Sequence, residues 1–176
     1  LDDCKNNDKI RCIVITGHGK AFCAGQDLKE AIDPDGPKIE EIVTKHYNPI
    51  IKKIREIGKP ILAAVNGVAA GAGANLALSC DFVVATKSAS FIQAFSKIGL
   101  VPDSGGTFFL PRLIGLPKAT ALMMTGEKVM AEDAEKIGMI YKVYEDNEFD
   151  DQVMMLARRL ASMPTKGLGL IKKLLN

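Results

Sequence analysis

Residues 60–86 read PILAAVNGVAAGAGANLALSCDFVVAT. The first eight, PILAAVNG (60–67), form an apolar run without polar alternation, the pattern of a strand buried on both faces. Pro60 opens that run, where the N–H it lacks is tolerated. A turn of small residues leading into a helix follows, NGVAAGAGANLAL (66–78), and then a second β-branched run, CDFVVAT (80–86). Strand, turn, helix and strand in this order predict an α/β domain with βα connections.

Working outward, RCIVITG (11–17) predicts another buried strand and MIYKVY (139–144) a further one. The stretch 38–57 places Ile39, Ile42, Val43, Ile50, Ile54 and Ile57 at helical spacing, and predicts an amphipathic helix bent at Pro49. AEDAEKIGM (131–139) and FDDQVMMLARRLASM (149–163) read as two more helices. EAIDPDGPK (30–38), with two prolines and a glycine, is a surface loop.

The composition excludes several classes. In 176 residues, 47% hydrophobic, there is material for one domain with a substantial core. Lys and Arg total 23 against 21 Asp and Glu, so the net charge of +2 supplies no footprint for nucleic acid. Acidic residues also interleave with the lysines of 38–57, against RNA binding. No apolar run reaches the length of a membrane span and no signal-peptide pattern is present, so no membrane partner is expected. Cys4, Cys12, Cys23 and Cys80 form no CxxC pair, which points to free thiols in the cytoplasm and not to a zinc site.

Two glycine-containing turns carry the candidate chemistry: TGHGKAFCAGQDL (16–28) and 66–78. Neither holds GxxxxGK[ST], which removes the P-loop. GAGANL has Leu76 where the dinucleotide fingerprint needs a third glycine, and no acidic strand end follows at the required distance. Two readings stay open on the residues alone. The small residues permit close helix–strand packing, or the two turns converge backbone N–H donors on one oxygen, an oxyanion hole. The third motif, GLVPDSGGT (99–107), sets Asp103 between a proline and two glycines. Taken alone it is an N-cap, since a side-chain oxygen there satisfies unpaired N–H groups of a helix start.

AFCAGQDLKE (21–30), KPILAAVNGVAAGAGANLALSCDFVVAT (59–86), FSKIGLVPDSGGTFFLPRLIG (95–115) and TGEKVMAEDAEKIGMI (125–140) together resemble the crotonase superfamily, the enoyl-CoA hydratase/isomerase family. The resemblance is collinear from about Arg11 to Tyr144, and is greatest to the branch of ring-epoxide isomerases of phenylacetate degradation. It implies an α/β spiral of ββα units, one crotonase-like domain over 1–176 with its core at 11–144 and an incomplete helical part at 148–176. Family segments would precede Leu1 and follow Asn176. It also implies assembly as a trimer or dimer of trimers and an acyl-CoA thioester substrate, with coenzyme A entering as part of that substrate and no separate cofactor or metal.

Carried over residue by residue, the oxyanion donors are the N–H groups of Gln26 and of Ala72, the latter a glycine in many relatives. Substrate contacts fall on Ala24, Gln26, Asp27, Leu28, Lys29, Ala72 and Phe95. The family's hydratases use two glutamates; the matching positions are Asn75 and Phe95, which cannot act as carboxylate bases. Asp103 matches the active aspartate of isomerases and aryl-CoA dehalogenases, which turns the reading of that residue from cap to base. Among Phe91, Phe95 and Leu100 it would be partly desolvated. The expected function is an acyl-CoA isomerase that shifts a double bond or rearranges an epoxidised ring. The alternatives are a hydratase with an atypical site, or a non-catalytic acyl-CoA-binding subunit. Restoring both carboxylates, Asn75→Glu with Phe95→Glu, is expected to raise crotonyl-CoA hydration provided the fold tolerates two new carboxylates near the core. His18 and His46 are expected at the surface, Cys23 as a small buried thiol, and Met123, Met124, Met154 and Met155 in packing. The far wall of the pocket is expected from the 30–38 loop, Phe95 and Phe108.

Overall fold

The computed structural model describes residues 1–27 and 36–176. Among these residues, eight strands alternate between two sheets. β1 (Ile13–Thr16), β3 (Ile61–Val65), β5 (Phe82–Thr86) and β8 (Lys142–Tyr144) form one, in the order β1-β3-β5-β8, and all its pairs are parallel. β2 (Ala21–Cys23), β4 (Val68–Ala70), β6 (Ser90–Ile92) and β7 (Lys128–Met130) form the other, parallel except for the β6–β7 pair. Each successive β-β unit therefore adds one strand to each sheet, and the chain advances as a spiral. Nine α-helices surround the sheets among the described residues: α1 (Asp2–Asn6), α2 (Ile39–Ile42), α3 (Asn48–Glu56), α4 (Ala72–Leu78), α5 (Gly106–Ile114), α6 (Leu116–Thr125), α7 (Ala131–Lys136), α8 (Phe149–Ser162) and α9 (Thr165–Leu175), with a π-helical turn over Val43–Tyr47 and a 3-10 segment over Ala94–Ile98.

The unbroken apolar run of β3 follows from its central place. All five residues are buried, and the two faces of the pleat serve different cores. Ile61, Ala63 and Val65 join the main core with Ile54, Ile57, Ala74, Ala77 and Leu110. Leu62 and Ala64 pack with Val84 and with Phe149, Val153 and Ala157 of α8. Full burial of side chains such as Ile61 and Leu62 contributes about 2–3 kcal/mol each.

The chain changes sheet at tight corners. A Cβ on Gly67 would stand 2.3 Å from the carbonyl oxygen of Lys20, so only glycine lets the β3–β4 corner pass the β1–β2 corner. Asn66 ties the same two corners: its Oδ1 accepts from the Gly17 N–H at 3.0 Å, and its Nδ2 donates to the Gly19 carbonyl at 3.0 Å.

Two expectations change in detail. The bend expected at Pro49 appears as a π-helical turn, Val43–Tyr47, directly before it, with the Asn48 N–H donating to the Val43 carbonyl. Pro49 lacks an N–H and its ring crowds the preceding turn, and the wider turn absorbs both effects. The strand expected over 139–144 is confined to Lys142–Tyr144; Met139 and Ile140 are buried before it, at the end of α7.

Candidate active site

Parallel pairing brings the carboxyl ends of β2, β4 and β6 side by side, the place where α/β sheets expose loops and backbone groups to ligands. The β2–β4 register shifts between Ala21 and Cys23, a bulge that re-aims the chain just before the first turn. Gly25 has φ 93° and Gly71 φ 54°, conformations that side chains disfavour. The two turns meet: a Cβ on Gly25 would lie 3.1 Å from the Ala70 carbonyl oxygen and 3.7 Å from the Ala72 nitrogen. Gly71 caps α4, so the Ala72 N–H belongs to the first residue of that helix, where no intrahelical acceptor exists. The third strand end closes the group. The Gly71 N–H donates to the Ile92 carbonyl at 2.9 Å, and a Cβ on Gly71 would face the Phe95 ring at 3.8 Å from Cζ.

Asp103 does not cap a helix with its side chain. α5 starts after Gly105 with no side-chain cap bond, and its first turn is tied by backbone, the Gly106 N–H donating to the Asp103 carbonyl at 2.8 Å. Asp103 Oδ1 is buried and without a hydrogen-bond partner. Burial pushes its carboxyl above the ordinary value. Ser104 is 2% exposed and has φ 51°, the one non-glycine residue with positive φ among the described residues. Strain of this kind collects at functional sites.

Asn75 and Gln93 complete the cluster from α4 and from the end of β6. Asn75 is 0% exposed; its Nδ2 donates to the Asp103 carbonyl at 2.9 Å, and Gln93 Nε2 donates to its Oδ1 at 2.8 Å. A Cβ on Gly106 would come within 2.3 Å of Asn75 Nδ2, so α5 presses directly on this amide. The buried side-chain oxygens left without a partner among the described residues are Gln93 Oε1, Asp103 Oδ1 and Ser104 Oγ, all within this one stretch of contacts. Buried polar atoms are almost always paired, so three unpaired ones along one run of contacts set this cluster apart from the rest of the core.

The structure thus brings together the Gln26 turn, Ala72 and Phe95, and joins Asp103 to the same helix through Asn75. Ala24 and Asp27 are exposed beside the first turn and Gln26 is half-buried. Leu28, Lys29 and most of the 30–38 loop lie outside the described residues. Phe108 does not join Phe95: it is 44% exposed, with the Arg112 guanidinium 3.5 Å above its ring. It lines a separate cavity of about 570 Å³ between α5, α8 and α9, because its helical position turns it away from the strand ends. His18 and His46 are exposed, as expected. Cys23 is half-buried against the core instead of fully enclosed, and Met124, Met154 and Met155 are exposed, leaving Met123 alone of the four packed on the core. Gln93 and Ser104 escaped the sequence reading. The signal available for Gln93 was its place immediately after β6, equivalent to the two glycine turns.

This spiral of β-β units, with three strand ends gathered around a helix start, is the crotonase fold, and the chain belongs to the enoyl-CoA hydratase/isomerase family, whose sequence profile matches residues 1–176. It is 48% identical, over all of its length and 68% of the relative's, to the 1,2-epoxyphenylacetyl-CoA isomerase of Escherichia coli. It is 36% identical to a 4-chlorobenzoyl coenzyme A dehalogenase of Arthrobacter, covering 96% of this chain and 62% of that one. An enoyl-CoA hydratase crystal structure from Polaromonas superposes with a TM-score of 0.89 at 37% identity, covering 99% of this chain and 69% of the other. The chain spans about two thirds of the length of the curated relatives it matches. No helix among the described residues is long and apolar enough to cross a membrane.

Proposed function

We propose that the protein isomerises an acyl-CoA thioester through an enolate, with Asp103 as the proton carrier. The Gln26 and Ala72 N–H groups hold the thioester oxygen. The Asp103 carboxylate removes a proton from the α-carbon of a 3-enoyl thioester; the electron pair moves onto the oxygen to give a dienolate. Asp103 returns the proton at the γ-carbon, and the double bond comes to rest between the α- and β-carbons. The observation that carries this reading is the side chain of Asp103, turned away from capping, half-buried, and with one oxygen unpaired. A base whose pKa is raised toward the working pH transfers protons more effectively. The relative that acts on 1,2-epoxyphenylacetyl-CoA supports a CoA thioester carrying an epoxidised ring as a second substrate class.

Hydration is disfavoured by the same residues. Phe95 is 5% exposed and Asn75 is closed by two hydrogen bonds, so neither supplies a carboxylate to activate water. The test uses the full-length protein and 3-enoyl-CoA thioesters in heavy water, following exchange at the α- and γ-carbons. Asp103→Asn is expected to lower turnover about 10²–10⁴-fold. Wild-type turnover in that variant overturns the role of Asp103, and tight CoA binding without any turnover in the wild type favours a non-catalytic subunit.

A further inference from the structure

We infer that Gln93 and Asn75 are positioning residues for Asp103, an amide relay that holds the base in its working pose; this rests on the reading of Asp103 as the proton carrier. The Asp103 carbonyl can only accept, so the Asn75 atom facing it at 2.9 Å is Nδ2. Asn75 Oδ1 is thereby turned to Gln93, which answers with Nε2 at 2.8 Å. One backbone carbonyl therefore fixes the orientation of both side-chain amides. Both are buried, Asn75 at 0% and Gln93 at 4% exposure, so water does not compete for these bonds.

The Asp103 segment needs an external tie. It lies between Pro102 and the strained Ser104, and no side chain caps the helix that follows. Its carbonyl is held from one side by the Gly106 N–H and from the other by Asn75. Asn75 stands on α4, the helix whose first residue is Ala72, and Gln93 directly follows the strand that pairs with β4. The relay thus references the base to the elements that place the oxyanion turns. Misplacement of a catalytic group by about 1 Å can cost about 10²-fold in rate.

Gln93→Met keeps the length and removes both polar atoms. With a 3-enoyl-CoA thioester in heavy water, we expect the saturated exchange rate to fall at least about tenfold while KM stays within about twofold. The acid limb of its pH–rate profile should move to lower pH, because a loosened Asp103 becomes better solvated. Gln93→Glu should keep rate only in the pH window where Asp103 is ionised while the introduced buried carboxyl is still protonated and can donate to Asn75 Oδ1, and lose it as that carboxyl ionises. Wild-type rate and an unmoved acid limb in Gln93→Met overturn the proposal. Should that variant fail to fold, a Gln93→Glu profile identical to wild type overturns it instead. Asp103→Asn is measured in parallel. If it is inactive while Gln93→Met is normal, only the relay fails; if it is fully active, the base assignment fails and the relay falls with it.

Discussion

Asp103 carries its function at a cost to the fold. Its pKa is raised by burial, so the folded chain holds this proton more tightly than the unfolded chain does. Below the unfolded value near 3.8 both states are protonated and there is no penalty. As pH rises through the folded pKa, stability is lost, and above it the loss is complete. Asp103→Asn should therefore raise the melting temperature at neutral pH and lose that advantage below about pH 4. Thermal melts of both forms across pH check this; an equal difference at all pH values would show that ionisation is not its cause. The chemical part of this residue was legible, since nothing else in 99–107 can titrate. Its release from capping was not, because that depends on Gly105 taking the cap position. Asn75 changes an expectation too. A glutamate there could accept from Gln93 but not donate to the Asp103 carbonyl, and its carboxylate would sit at a fully buried position. Asn75→Glu with Phe95→Glu should lower isomerisation without creating hydration of crotonyl-CoA, read by absorbance of the enoyl thioester.

At the scale of elements, β3 and β5 were legible because burial on both faces leaves an apolar run that nothing else explains. The strands of the second sheet were not. Ala21–Cys23, Val68–Ala70 and Ser90–Ile92 are three residues each, rich in alanine and serine, and resemble turns when taken in isolation. The resemblance to a ββα spiral implied second strands in each unit without placing them. Their small residues serve the approach of α4 to β2. A Cβ on Gly73 would sit 2.1 Å from the Cys23 carbonyl oxygen, a backbone atom that cannot swing aside. Gly73→Ala must therefore push the helix from the strand, parting the Ala72 N–H from the Gln26 turn. We expect a loss of about 1–3 kcal/mol in urea unfolding, as for other overpacked core sites, together with a fall in turnover. A stable Gly73→Ala variant of normal activity would show that the two turns need not be this close.

Across the whole molecule, the sheets are joined to the terminal helix by charge instead of by apolar packing alone. Asp81, just before β5, accepts from the Ile61 N–H at 2.8 Å, from Lys172 Nζ at 2.8 Å and from Arg55 at 3.3 Å. The Lys172 side chain is 5% exposed and that of Asp81 14%, so solvent screens this cluster poorly. Burial pushes the Lys172 ammonium below its ordinary value, and Asp81 opposes that shift. None of this could be read from the sequence, because Asp81 and Lys172 are far apart in the chain and each resembles a solvated surface charge. The two partners are unequal. Asp81 faces two cations and an N–H, whereas Lys172 also donates to the Lys59 carbonyl at 3.3 Å. Asp81→Ala leaves a buried ammonium without its anion, and removing one partner of a buried pair costs about 3–5 kcal/mol. Lys172→Met leaves Asp81 its Arg55 contact and the Ile61 N–H, so its cost should be smaller. Urea unfolding of the two variants should rank Asp81→Ala as the more damaging by at least about 1 kcal/mol. The reverse order would mean that the docking of α9 rests on the lysine's carbonyl contact, and that the aspartate serves β3 alone.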